Sequence, residues 1–124
     1  MELVLVGIGG FFGAIARRVV DVVVTERAGV AFPLGTLVIN VSGSFVVGLL
    51  FAWMLERDVL PMSLRAPLMI GFLGAYTTFS TWMLESWRLV EDGAWGLAVL
   101  NLAGSVAIGL IAVVAGLAVG RQFP

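Results

Sequence analysis

Long apolar runs alternate with short polar joins along this chain. Apolar residues dominate 3–24, 32–54, 66–84 and 94–119, while the joins 25–31, 55–65 and 85–93 collect most of the charge. Each run is close to the roughly 20 residues that cross a bilayer as a helix. The pattern predicts an all-α integral membrane protein, with one domain over residues 1–124 and four transmembrane helices. Pro33, Pro61 and Pro67 fall at run starts, where a missing N–H costs a helix little. The second and fourth runs carry no charge, and the first holds Arg17, Arg18 and Asp21 in its second half.

The third run departs from a plain lipid span. Gly71-Phe72-Leu73-Gly74-Ala75-Tyr76-Thr77-Thr78-Phe79-Ser80-Thr81-Trp82 mixes glycines, hydroxyls and aromatics. Glycines and adjacent β-branched threonines weaken a helix. Broken backbone at membrane depth survives only where protein or a water-filled cavity satisfies it. The third helix is therefore expected to be interrupted mid-span near 74–78 and to line an ion pathway. Carbonyls released there are hard ligands of the kind that suit Na⁺, K⁺ or Ca²⁺. Beyond the break, Phe79 and Trp82 stand at i and i+3 on one face, and their positive ring edges suit a small anion. Ser80 and Thr81 add O–H donors. Plain packing of these aromatics against neighbouring helices is the alternative at this point.

Composition narrows the function. The chain is 60% hydrophobic and 12% charged, against about 25% charged in soluble domains. It has no Cys and no His, which removes disulfides, thiolate metal sites, Ser-His-Asp triads and histidine proton relays. A net charge of −1 gives no footprint for nucleic acid. No constellation of base, nucleophile and metal ligand remains, so an enzyme is not expected. Met1-Glu2 lacks a basic n-region, and the first run is expected to be a retained span. With the N-terminus, second join and C-terminus on one side, Arg57, Arg65 and Arg121 oppose Arg17, Arg18, Arg27 and Arg88. Lys and Arg normally mark the cytoplasmic loops. So even a distribution leaves a fixed orientation and a dual topology both open.

Polar positions inside the other runs follow helical spacing. Gly9, Gly13 and Arg17 share a face of the first run. Arg17 is expected to be structural or vestibular, with Arg18 snorkelling to the interface. Thr36, Asn40 and Ser44 share a face of the second. Asn40 there must bond to a neighbouring helix or a permeant species. In the fourth, Asn101 and Ser105 open a stripe that continues as Gly109, Ala112, Gly116 and Gly120. Close helix packing explains its glycines and alanine. The two polar residues extend a track beside the broken helix.

These motifs together resemble the Fluc/CrcB fluoride channels over essentially the whole chain. The matching stretches are Gly10-Phe11-Phe12-Gly13-Ala14-Ile15-Ala16-Arg17, Gly35-Thr36-Leu37-Val38-Ile39-Asn40-Val41-Ser42-Gly43-Ser44-Phe45, the third-run stretch above, and Asn101-Leu102-Ala103-Gly104-Ser105 with Gly109. The resemblance implies an antiparallel dual-topology homodimer in a bacterial inner membrane, with two fluoride pores. It implies a structural Na⁺ on the dimer axis, held by the backbone carbonyls of Gly74 and Thr77 from both subunits. Asn40 matches the family's pore asparagine, and Phe79 the first of its paired pore phenylalanines. The second of that pair is Trp82 in this sequence. Ser80 and Thr81 match hydroxyls at the pore mouth, and Ser105 falls on the fourth-helix polar track. Arg18 stands where the family usually has Tyr.

The expected function is passive, fluoride-selective export that relieves fluoride toxicity. Two readings compete with it. A proton-coupled multidrug or cation exporter needs a titratable group at mid-membrane, and every Asp and Glu here is terminal or near a run end. A non-transporting assembly subunit fits the glycine stripes, but not the hydroxyl-rich break or Asn40.

Overall fold

The first apolar run forms α1, Glu2–Ala28, which stops where Gly29 takes φ 56 and ψ 25 and gives its N–H to the Thr25 carbonyl at 3.3 Å. Glycine reaches that left-handed conformation without Cβ strain. The computed structural model to which this helix belongs describes residues 1–56 and 58–122. Arg57, one of the arginines weighed for orientation, lies outside them. Helix α2, Leu34–Phe51, runs into a π-helical turn at Ala52–Glu56.

The third run is divided. Its first half, α3, comprises Met62–Ala66, a π-helical stretch Pro67–Leu73 and a final turn Gly74–Tyr76. After an interruption comes α4, Phe79–Glu91. The last run, α5, spans Trp95–Gln122 with a π-turn at Leu100–Gly104. The described residues form helices and turns only. Glu2–Ala28, Leu34–Met54 and Trp95–Gln122 are each long and apolar enough to cross a membrane. The third run is not among them as a single helix, because its halves are separate elements.

The join expected at 85–93 is mostly helix. Helix α4 continues to Glu91, and Gly93 turns the chain at φ 74. Charge at 85, 88 and 91 marked this stretch as a loop. The helix persists because Ser86 and Leu89 are buried against the bundle while Arg88 and Glu91 stay exposed. A polar helical end satisfies its own backbone.

Glycines set the helix spacing. A Cβ on Gly48 would collide with the Val113 carbonyl, and one on Gly116 with the Phe45 carbonyl, so α2 and α5 touch backbone to backbone. The expected glycine stripe of α5 is thus filled by α2. On α1, Gly9 and Gly13 face the carbonyls of Pro67 and Phe72, so that stripe receives the π-helical stretch of α3. Small residues permit this approach where lipid gives no hydrophobic drive between helices. Gly48→Val and Gly116→Val are expected to destabilise the fold by about 1–3 kcal/mol each. The check is loss of the folded peak in detergent size-exclusion chromatography. Gly96→Ala, where a Cβ meets nothing within 4 Å, serves as the control.

Candidate functional site

The interruption lies at Thr77 (φ −79, ψ 157) and Thr78 (φ −147, ψ 120), both extended. Two extended residues inside a helical run strand several backbone groups, and some of these find substitute partners. The Thr77 N–H and Oγ1 both bond to the Leu73 carbonyl, at 3.0 and 2.9 Å. The Thr78 N–H donates to Asn40 Oδ1 at 2.9 Å, and Asn40 Nδ2 donates to the Thr78 carbonyl at 3.0 Å. The Asn40 amide carries one acceptor and two donors in the arrangement of a peptide group, so it replaces a helix neighbour from across the bundle. Thr78 then caps α4, its Oγ1 accepting from the Thr81 N–H at 3.4 Å.

These substitutions single out two carbonyls. In a continuous helix the Thr78 N–H would bond to the Gly74 carbonyl, and the Thr81 N–H to that of Thr77. The first now goes to Asn40 and the second to the Thr78 hydroxyl. The Gly74 and Thr77 oxygens lose their helical donors and are left as hard acceptors. Gly74 is exposed and Thr77 half-buried.

A cavity of about 440 Å³ opens beside the break, between α2, α4 and α5. Asn40, Ser44, Thr77, Thr78, Phe79, Trp82, Ser105 and Gly109 line it, with Val47, Val106, Leu110 and Val113 as its apolar wall. Asn40, Phe79, Trp82 and Ser105, drawn from the second, third and fourth runs, therefore share one space. The Phe79 and Trp82 rings meet edge to face, with centroids 5.6 Å apart at 76°. Phe79 is 70% exposed in the single chain. Ser80 and Thr81 are exposed and not part of the lining, and Arg17 is half-buried on α1 away from it.

Several polar contacts were not visible in the sequence. Tyr76 Oη and Ser42 Oγ lie 2.8 Å apart, fixing the end of α3 to α2. The Thr36 hydroxyl, expected on the Asn40 face, donates to Glu85 Oε1 at 2.8 Å. Ser44 Oγ turns back to its own helix and donates to the Asn40 carbonyl at 2.7 Å. Asn101 is 1% exposed and bonds to Ser86 Oγ at 2.9 Å instead of entering the cavity. Apart from the Ser44 bond within α2, each contact joins separate helices, and only helical periodicity on the donor's side hinted at it.

The sequence model of the family described as "CrcB-like protein, Camphor Resistance (CrcB)" matches residues 4–117. Among similar proteins, one from Magnetococcus marinus is 45% identical over 121 residues, covering 98% of each chain. One from Acidobacterium capsulatum is 42% identical, with 98% of each chain covered. A third, from Solibacter usitatus, is 38% identical over 98% of this chain and 100% of its own. All three carry the name "Fluoride-specific ion channel FluC".

Proposed function

Because the chain belongs to the CrcB family, we propose that it is a multi-pass channel that lets fluoride leave the cytoplasm passively across a bacterial inner membrane. The single observation carrying this reading is the break held open by Asn40, which turns a membrane segment into one wall of a cavity edged by Phe79 and Trp82. The cavity offers ring edges and hydroxyls without a formal positive charge, so a small anion is stabilised but not trapped. In acid surroundings HF crosses the bilayer and ionises in the neutral cytosol. A membrane potential of 100 mV, negative inside, favours exit of one anion by about 2.3 kcal/mol. No energy source is required.

An antiparallel homodimer with two fluoride pores is part of the proposal. The exposed Phe79 and the exposed Gly74 beside the break support it, since both are surfaces that a second copy would cover. Ser80 and Thr81, outside the single-chain cavity, are assigned to the pore mouth, and Arg17 to a structural or vestibular role. The Na⁺ site also fits these residues. Two carbonyls stripped of helical donors, from each of two copies, make an all-oxygen set that suits a hard monovalent cation. Gly74 and Thr77 would hold it, and its charge would offset the converging carbonyl dipoles.

Purified protein in fluoride-loaded liposomes, with valinomycin clamping the voltage, tests the reading. Fast fluoride release with negligible chloride release is expected. No release from folded protein overturns the reading. Exchange of Na⁺ for N-methylglucamine on both sides is expected to slow release by about tenfold or more, the effect of losing roughly 1.4 kcal/mol of stabilisation. Release unchanged after exhaustive exchange removes Na⁺ from the proposal and leaves the channel reading intact.

A further inference from the structure

Trp82 brings an N–H to a cavity wall where a phenyl ring would bring none. An indole nitrogen is a donor only. Turned into the cavity it would offer a fixed hydrogen bond to a passing anion. Here it donates to the Asn101 carbonyl at 3.1 Å instead.

The acceptor is placed by a closed set of contacts. Asn101 Nδ2 donates to Ser86 Oγ at 2.9 Å, and Ser86 Oγ donates to the Trp82 carbonyl at 2.8 Å. Ser105 Oγ reaches Asn101 Oδ1 at 3.4 Å from the next turn. Asn101 sits in the π-turn of α5, where the Ser105 N–H is divided between the carbonyls of Asn101 and Leu102. The Asn101 oxygen keeps a lone pair for the indole. Ser86 and Asn101 are 4% and 1% exposed, so water does not compete for these groups.

We propose that Asn101 is a positioning residue for the pore: with Ser86 it fixes the Asn101 carbonyl so that the indole N–H of Trp82 stays bonded within the protein and only ring edge faces the ion path. Asn101 acts through Trp82 and is absent from the cavity lining. The inference rests on the channel reading for its functional consequence, but the contact itself can be measured without flux.

The test has two arms. In the first, indole N–H exchange is followed by NMR in detergent, with the Trp82 resonance assigned by its disappearance in Trp82→Phe. The wild-type resonance is expected to be protected, and Asn101→Ala is expected to speed its exchange by about tenfold or more. In the second arm, fluoride efflux is measured in a double-mutant cycle. Asn101→Ala is expected to slow efflux about tenfold when Trp82 is present, and less than about threefold in a Trp82→Phe background. Equal losses in both backgrounds, or unchanged indole exchange, overturn the proposal. Should Asn101→Ala fail to assemble, Ser86→Ala cuts the same bridge from its other end and must give the same pattern. A protein that conducts no fluoride would overturn the channel reading, while the exchange arm still decides the contact.

Discussion

Liposomes carrying Asn40→Asp are expected to lose fluoride at least about a hundredfold more slowly than wild type, a barrier rise of about 3 kcal/mol. The change is nearly isosteric, so the cause is electronic. Asp keeps an acceptor for the Thr78 N–H but has no donor for the Thr78 carbonyl, which Asn40 Nδ2 now serves at 3.0 Å. An oxygen would face an oxygen across that gap, and the part-buried Thr78 carbonyl would lose the donor that clamps it to α2. The new carboxylate would also place negative charge on the wall of the cavity proposed for the anion. Asn40→Ala separates the two causes, since it removes the clamp without adding charge. It is expected to slow efflux less than Asp does. Efflux within about threefold of wild type for folded Asn40→Asp would remove Asn40 from the pore and leave it a packing contact.

Phe79→Ile is expected to cut efflux by about tenfold or more while leaving helix content and oligomeric state unchanged. Isoleucine fills comparable volume but has no positive ring edge. At 70% exposure in the single chain, Phe79 contributes little to the monomer's core. Its ring packs edge to face against Trp82. Fluoride-electrode efflux and circular dichroism on the same preparation check both halves of the expectation. Wild-type efflux from folded Phe79→Ile would sink the aromatic coordination scheme.

The interruption itself was legible in the sequence because its composition is wrong for an ordinary lipid span. Its register was less so. The expected window was 74–78, yet Gly74–Tyr76 is still helical and the extended residues are Thr77 and Thr78. What places the break there is tertiary: Tyr76 is tied to Ser42, and Asn40 takes the Thr78 backbone. Asn40 was legible as a buried amide in need of a partner, and the partner proved to be the backbone of the break. Asn101 was read as part of a polar track. It instead ties α5 to α4, which requires the polar half of α4 to be helical and docked. The π-turns in α2, α3 and α5 left no readable trace, because an added residue per turn depends on packing rather than on a local residue pattern. Grouping Asn40, Phe79, Trp82 and Ser105 needed only the family motifs. Their enclosure in one cavity needed the fold.

The clamp on Thr78 also bears on how the molecule is made. The bonds that hold the third run open come from a residue 38 positions earlier in the chain. A segment entering lipid before α2 has docked has no such partner. Its stranded N–H groups can turn only to its own carbonyls, because the bilayer core offers no water. A third run inserted before that docking would form an uninterrupted span, and docking of the second helix would then open it locally. Lesions that loosen that docking would let the helix heal instead of unravel, producing a well-inserted, fully helical protein with its passage sealed.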